Sequence, residues 1–310
     1  MIDVTTRVCE LSNAHLGIML DTDADRCGFV IPRTISTDGQ SCSNYEVLNR
    51  NRLIAVLAVI FAQTSPGCAD VTDSVTSEGL TKFLTKTLGL QHIRYLKGYA
   101  NVIGKAKEVT ERGLANAEMA IETSGHCDMK ENGYLDDGTY TSVKVVGLLA
   151  RITRESPSRS LLDLISELEE LDHVKEVRLK VVDGSLETTS LMFDFCALEI
   201  ERLAKRESKV ENDVTAVWEV DEENLEGIRV RTGPNGGFFM LRKSLHDPII
   251  SLQVEATSRE EAHSVIIEPL LTHFEGNLKF PIHWTFPRSK ITKEKNNHRR
   301  GPHQGLLRSL

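Results

Sequence analysis

Residues Leu16-Gly17-Ile18-Met19-Leu20-Asp21-Thr22-Asp23-Ala24-Asp25-Arg26 set a short apolar run directly before three carboxylates at alternate positions and an arginine. The apolar half reads as a buried strand and the acidic half as the loop it feeds. Three carboxylates so spaced bring their oxygens near one point. Mutual repulsion makes that costly unless a divalent cation occupies it, and oxygen-only ligands suit Mg²⁺. A calcium helix–loop–helix is excluded, because Arg26 stands where the sixth loop position needs glycine and Pro32 where the twelfth needs a bidentate Glu. The same residues also read as an acidic surface turn, or as the aspartyl nucleophile of a phosphatase, which the third Asp and Arg26 fit poorly. Arg26 beside a cation suits a phosphoryl dianion held by both.

Downstream, apolar periods alternate between strand and helix. Glycine and proline punctuate the chain until Tyr45. Leu48, Leu53, Val56, Leu57 and Ile60 then recur at helical spacing and Pro66-Gly67 end the run. Strands follow at Cys68–Thr72, His92–Tyr95 and Ala117–Ile121, with helices at Ser77–Leu88, Tyr99–Arg112 and Gly138–Thr153. Short connections between such elements predict a parallel sheet covered by helices. The stretch Glu155–Ser160 reads as a linker, after which the rhythm changes. Glu176–Val182, Val214–Val220, Gly227–Thr232, Gly237–Lys243 and Ile249–Val254 read as strands, with helices at Ser190–Lys205 and after a capping box of Ser258 and Glu261. The expected architecture is three-layer α/β domains with mostly parallel sheets, followed by a smaller C-terminal α+β domain.

Composition narrows the function. The 310 residues are 40% hydrophobic and 26% charged, the balance of a globular protein. The longest apolar run, Leu53–Ala62, is half of what a bilayer span needs, and no signal peptide opens the chain. Residues 281–310 hold seven Lys or Arg against one Glu, a net +6, so the total of -8 leaves -14 on residues 1–280. An acidic body argues against nucleic-acid binding, and the basic tail reads as a solvated, disordered extension. Six cysteines without a C-x-x-C pair read as free thiols of a reducing compartment.

Two further loops carry chemistry. Glu122-Thr123-Ser124-Gly125-His126 follows a strand and offers an acceptor and a hydroxyl for adjacent sugar hydroxyls, with His126 able to trade protons near neutral pH. Alone, it reads as readily as a structural turn. Arg242-Lys243-Ser244-Leu245-His246-Asp247-Pro248 lies between two strands and can cradle a phosphate through Arg242, Ser244 and turn amides, with His246 as a further contact.

These three loops, in this order, resemble the α-D-phosphohexomutases, the family of phosphoglucomutase, phosphomannomutase and phosphoglucosamine mutase. Asp21, Asp23, Asp25 and Arg26 match its D-x-D-x-D-R metal loop. Glu122, Ser124, Gly125 and His126 match its E-x-S-G-H sugar loop. Arg242, Ser244 and Pro248 match part of its R-x-S-G-T-E-P phosphate loop, and Lys97-Gly98-Tyr99 sits where a third-domain glycine loop falls. The resemblance implies an Mg²⁺-dependent isomerase of carbohydrate metabolism that shifts a phosphoryl group on a hexose phosphate through a phosphoserine and a bisphosphorylated intermediate.

On that resemblance, residues 1–44 are expected to be a remnant of domain II, 45–155 domain III, 156–280 a linker and domain IV, and 281–310 the tail. No serine lies in a Ser-His-Asn-Pro-like loop, and Leu245, His246 and Asp247 replace the family's Gly-Thr-Glu. The chain is therefore expected to be truncated and inactive alone, with Arg26 and His126 the remaining catalytic candidates. A monomer of the cytoplasm or plastid stroma is expected, with hexose phosphate or bisphosphate as ligand and neither nucleic acid nor membrane as partner. The alternatives are a non-catalytic sugar-phosphate-binding regulator and an Mg²⁺-dependent phosphatase.

Overall fold

The computed structural model describes residues 1–48, 50–180, 185–205, 214–222, 224–244 and 247–276. The acidic loop lies in the turn of an antiparallel hairpin. Helix α1 (Ile2–Ser12) precedes β1 (Gly17–Leu20), which pairs with β2 (Cys27–Ile35), and β2 pairs with β3 (Cys42–Leu48). Neither β2 nor β3 was expected from the sequence, because β2 is buried on both faces and shows no alternation. Pro32 is tolerated in this central strand because β1 reaches only to Val30, so no ladder partner is lost on that side. Leu48, expected in the following helix, instead ends β3. Arg50 turns the chain at φ 52, and α2 begins at Asn51.

α2 (Asn51–Thr64) is the axle of the molecule: every residue from Leu53 to Phe61 is buried. Phe29, Ile31 and Leu48 pack on it from the first sheet, and Met119 and Ile121 from the second. At about 1.5–3 kcal/mol per large apolar side chain, this shared core holds the two sheets together. The second sheet has the order β5-β4-β6-β7, formed by β4 (Ala69–Asp73), β5 (Gln91–Tyr95), β6 (Ala117–Ile121) and β7 (Cys127–Met129). β5, β4 and β6 are parallel and β7 is antiparallel, so the parallel arrangement belongs to this sheet.

The crossovers are α3 (Glu78–Lys82), continued by a π-helical turn at Phe83–Thr87, and α4 (Tyr99–Glu111). α4 covers the face opposite α2 with Val102, Ala106 and Val109. α5 (Gly138–Glu155) follows β7, and the chain beyond it is pinned rather than free. Ser160 is buried, caps a short 3₁₀ turn with Asp163, and donates its Oγ to the Pro32 carbonyl at 2.6 Å.

The third sheet is antiparallel, in the order β8-β12-β11-β10-β9. It comprises β8 (His173–Lys180), β9 (Trp218–Val220), β10 (Gly227–Thr232), β11 (Phe238–Lys243) and β12 (Ile249–Ala256). Of the strand expected at Val214–Val220, only the last three residues pair, and Val214–Val217 form a 3₁₀ turn. α6 (Leu186–Ala204) and the C-terminal α7 (Arg259–Glu261) and α8 (Glu268–Gly276) belong to this half. Trp218 seals its core, donating Nε1–H to the Val265 carbonyl at 3.0 Å and meeting Phe239 edge-on. Ser258 caps α7 by accepting from the Glu261 amide. Glu261 turns back to the Thr257 amide instead of Ser258, so the expected box is shifted by one residue. The architecture is α/β layers followed by a smaller α+β unit. Among the described residues, no helix is long and apolar enough to cross a membrane.

Candidate active site

The acidic loop and the Glu122–His126 loop meet at the seam between the first and second sheets. Arg26 and His126 form an isolated antiparallel bridge, and the Asp25 Oδ2 to His126 Nδ1 distance is 3.6 Å. Two glycines permit this approach. Gly125 has φ +103, and a Cβ there would lie 2.9 Å from the Cys27 carbonyl oxygen. A Cβ on Gly138 would lie 2.7 Å from the Arg26 carbonyl carbon, while the Gly138 amide donates to the Ala24 carbonyl. Side chains at either position would push the loops apart.

Within the acidic loop, one carboxylate oxygen each from Asp21, Asp23 and Asp25 lies within 4.8 Å of the others. Arg26 holds Asp21 from two sides, its amide donating to Oδ1 at 3.2 Å and its Nε to Oδ2 at 2.6 Å. Partial desolvation pushes the Asp21 carboxyl up, but the Arg26 contacts outweigh it and the group falls below its ordinary value. Asp25 goes the other way: desolvation, followed by Asp21 and Asp23, raises it against the pull of His126. Asp25 Oδ1 is buried and has no hydrogen-bond partner among the described residues. Converging oxygen donors with an unspent buried acceptor fit a hard divalent cation such as Mg²⁺.

In the second loop, Glu122 is 5% exposed. Its Oε1 accepts from the Gly98 amide at 2.6 Å and its Oε2 from Ser124 Oγ at 2.9 Å. Glu122 and Ser124 are thus pre-set against each other, and Gly98 ties them to the Lys97-Gly98-Tyr99 turn. Asp73, at the end of β4, accepts from the Thr123 amide and hydroxyl and lies 3.7 Å from Lys97 Nζ. Burial pushes Asp73 up to about 6 despite Lys97 and Thr123. His126 stacks on Tyr99 with ring centroids 5.1 Å apart, and its Nδ1 meets Asp136 Oδ2 at 2.6 Å. That hydrogen bond is the main reason the imidazole is raised above its ordinary value, with burial opposing it.

Of the third loop, the described part is Arg242–Ser244 and Asp247–Pro248; His246 and Leu245 lie outside the described residues, as does the 281–310 tail. Arg242 faces Glu176 at 4.0 Å, and the Ser244 amide donates to the Ile249 carbonyl. Glu176 also accepts from Ser251 Oγ. Burial raises Glu176, but Ser251, Arg242, Arg178 and Lys97 together hold it low, so one carboxylate feels cations of both the second and third sheets.

Sequence reasoning passed over Asp128 and Asp136. Asp128 is two residues from His126, and Asp136 sits just before the N-cap of α5, Asp137. Their spacing carried a signal, but their burial did not show.

Residues 49–170 match the family description "phosphoglucomutase/phosphomannomutase, alpha/beta/alpha domain III". A phosphoglucosamine mutase of Thermotoga sp. (strain RQ2) is 27% identical over 262 residues, 84% of this chain and 48% of the relative. The phosphoglucosamine mutase of Streptomyces avermitilis is 29% identical over 253 residues, 81% of this chain and 44% of its own. A phosphoglucomutase/phosphomannomutase family protein from Burkholderia thailandensis superposes with a TM-score of 0.62 at 20% identity, covering 91% of this chain and 51% of that one. Residues 49–170 thus match a domain of the phosphoglucomutase/phosphomannomutase family, and most of the chain is similar to phosphoglucosamine mutases. It spans about half the length of the curated relatives it matches.

Proposed function

We propose that these residues hold the cation, the sugar and the distal phosphate of a hexose phosphate or hexose bisphosphate in an Mg²⁺-dependent phosphohexomutase reaction, and that the 310 residues alone bind such a ligand without isomerising it. The observation that carries this reading is the junction of the acidic loop with the Glu122–His126 loop through Arg26 and His126.

Asp21, Asp23 and Asp25 would hold Mg²⁺, which when bound supplies positive charge at a phosphoryl oxygen. Arg26, locked in place by Asp21, presents the rest of its guanidinium to the same dianion. Glu122 and Ser124 take a pair of sugar hydroxyls, an acceptor and a donor–acceptor set side by side. His126, oriented by Asp136 and backed by Tyr99, can give or take a proton at Nε2 on the sugar side. Arg242 and Ser244 address the phosphate that does not react.

Turnover requires a nucleophile that cycles between phosphorylated and free forms, and these residues hold no serine in such a loop. An Asp21 nucleophile, as a phosphatase would use, is disfavoured because Arg26 engages both its oxygens. Calorimetry with glucose-1,6-bisphosphate and Mg²⁺ tests the reading. Heat of binding is expected at or below millimolar ligand, reduced about tenfold in affinity by Glu122→Gln, with no glucose-1-phosphate conversion in a coupled assay. No heat up to millimolar ligand, or turnover scaling with protein concentration, overturns it.

A further inference from the structure

Lys97 and Gly98, in the turn between β5 and α4, send successive backbone amides to two different carboxylates. The Lys97 amide donates to Glu226 Oε2 and the Gly98 amide to Glu122 Oε1, each at 2.6 Å. Amide bonds to carboxylates are of the charge-assisted kind, about twice as strong as neutral ones. Peptide planes are rigid, so only φ and ψ of Lys97 separate the two N–H directions. Gly98 stands at φ 115, a conformation that costs glycine little and lets both bonds form at once.

Glu226 belongs to the third sheet, one residue before β10, yet both its oxygens are spent on the second: Oε1 accepts from Ser74 Oγ, just beyond β4. Its neighbour Gly227 pairs with Arg242 in the β10–β11 ladder. A Cβ on Gly227 would lie 2.3 Å from the Leu241 carbonyl oxygen, so the two strands touch backbone to backbone there. Glu226 is thus fixed to the strand end that carries Arg242. A second thread runs beside it. Lys97 Nζ lies 3.7 Å from Asp73 Oδ2, which accepts from the Thr123 amide and hydroxyl, and the same ammonium acts on Glu176, the partner of Arg242. Backbone and side chain of Lys97 both lead from the phosphate end to the sugar loop.

We infer that Glu226 is a positioning residue for the sugar contact: through the Lys97–Gly98 turn it fixes where Glu122 points, and so ties the grip on the sugar hydroxyls to the strand that presents Arg242 to the distal phosphate. The inference rests on the proposed function for what Glu122 holds, while the tie itself is a property of the unliganded chain. Truncating Glu226 frees the Lys97 amide, lets the turn rotate about Lys97 and loosens the Gly98–Glu122 bond. Glu122 then keeps only its bond from Ser124.

Nuclear magnetic resonance of the full chain without ligand tests the tie. Lys97-Gly98 is the one Lys-Gly pair in the sequence, so carbonyl-¹³C lysine with ¹⁵N glycine gives a single correlated peak, the Gly98 amide. Glu122→Gln is expected to move that peak upfield as the charged acceptor is lost, and Glu226→Ala to move it the same way with circular dichroism unchanged. Gln253→Leu cuts a different bond across the same seam, from Gln253 Nε2 to the Val75 carbonyl, and should leave the peak in place. Glu226→Gln keeps an acceptor for the Lys97 amide and should fall between wild type and Glu226→Ala. If Glu226→Ala loses its circular dichroism, Glu226→Gln is read in its stead, an unmoved peak counting against the inference. Calorimetry then reads the consequence: about tenfold weaker glucose-1,6-bisphosphate binding in Glu226→Ala, and a smaller loss in Glu226→Gln. A Gly98 peak that stays in place in folded Glu226→Ala, a shift as large in Gln253→Leu, or unaltered ligand affinity in Glu226→Ala overturns the inference. Absence of binding by the wild-type chain strikes the proposed function instead, and leaves the Gly98 result to stand by itself.

Discussion

The second sheet meets a neighbour on each side, and the two seams treat buried charge in opposite ways. On the side of the third sheet, Arg229 is almost fully buried and its charge is answered on every side, its Nε meeting Asp221 as an ion pair at 2.9 Å without a hydrogen bond among the described residues. It donates to the Ser74 and Thr76 carbonyls, pairs with Glu78 and Asp221, and lies 3.5 Å above the Phe238 ring. Arg94 shares Glu78 and Arg231 shares Asp221, so charges alternate around a cavity of about 380 Å³. Burial, with Arg94 adding to it, lowers Arg229 to about 10 against its acidic partners, which leaves it charged at neutral pH. On the side of the first sheet, Asp25, Asp128 and Asp136 each keep a buried oxygen without a hydrogen-bond partner among the described residues, that of Asp25 lying 3.6 Å from Arg26 Nε. A closed network is a rivet; surplus acceptors mark a place where something binds.

That contrast can be broken by substitution. Arg229→Met leaves Glu78 to Arg94 and Asp221 to Arg231 but removes the donor to the Ser74 and Thr76 carbonyls, and is expected to cost about 3–5 kcal/mol in urea denaturation while leaving Mg²⁺ affinity unchanged. A cost below about 1 kcal/mol would mean this seam is not a rivet.

Asp70 supplies a control, since both its oxygens are buried without partners but it lies inside β4, away from either seam. Burial, with Glu118 adding to it, pushes Asp70 up to about 8. The unfolded chain releases this proton near pH 4, so the native state holds more protons between pH 4 and 8 and stability falls as pH rises through that window. Asp70→Asn is expected to stabilise the protein by on the order of 2–4 kcal/mol at pH 8 and hardly at pH 4, equally with and without Mg²⁺. Asp128, raised to about 8 by burial and by Asp136, has the same sign. A Mg²⁺-dependent Asp70 effect would blur the distinction between a buried acid and a cation site.

Gly125→Ala gives the smallest effect, about 1–3 kcal/mol from its φ of +103, together with weaker Mg²⁺ binding as the new Cβ presses on Cys27. Stability loss with unaltered Mg²⁺ affinity would separate the two loops functionally.

Much of the second and third sheets was legible because helix and strand periods there are clean. β10 begins and ends where its pattern does, and α4 within a residue of it. The first sheet was not, since β2 lacks alternation and contains Gly28 and Pro32, which read locally as loop. Within the site, the acidic triplet and the Glu122–His126 loop stood out by residue type. Asp128 and Asp136 did not, because a lone aspartate near a turn looks solvated until other segments cover it.

The order of residues along the chain determined by itself the donors of the acidic loop, the strand–helix rhythm from α2 to α5 and the caps at Ser77, Asp137 and Ser258. These depend on neighbours within a few positions. Only the tertiary structure decided that Arg26 meets His126 across a hundred residues, that Asp25 is shared between two donor groups, and that one oxygen each of Asp25, Asp128 and Asp136 is buried without a hydrogen-bond partner among the described residues. Desolvation is set by what packs over a group, and that covering comes from segments remote in the chain.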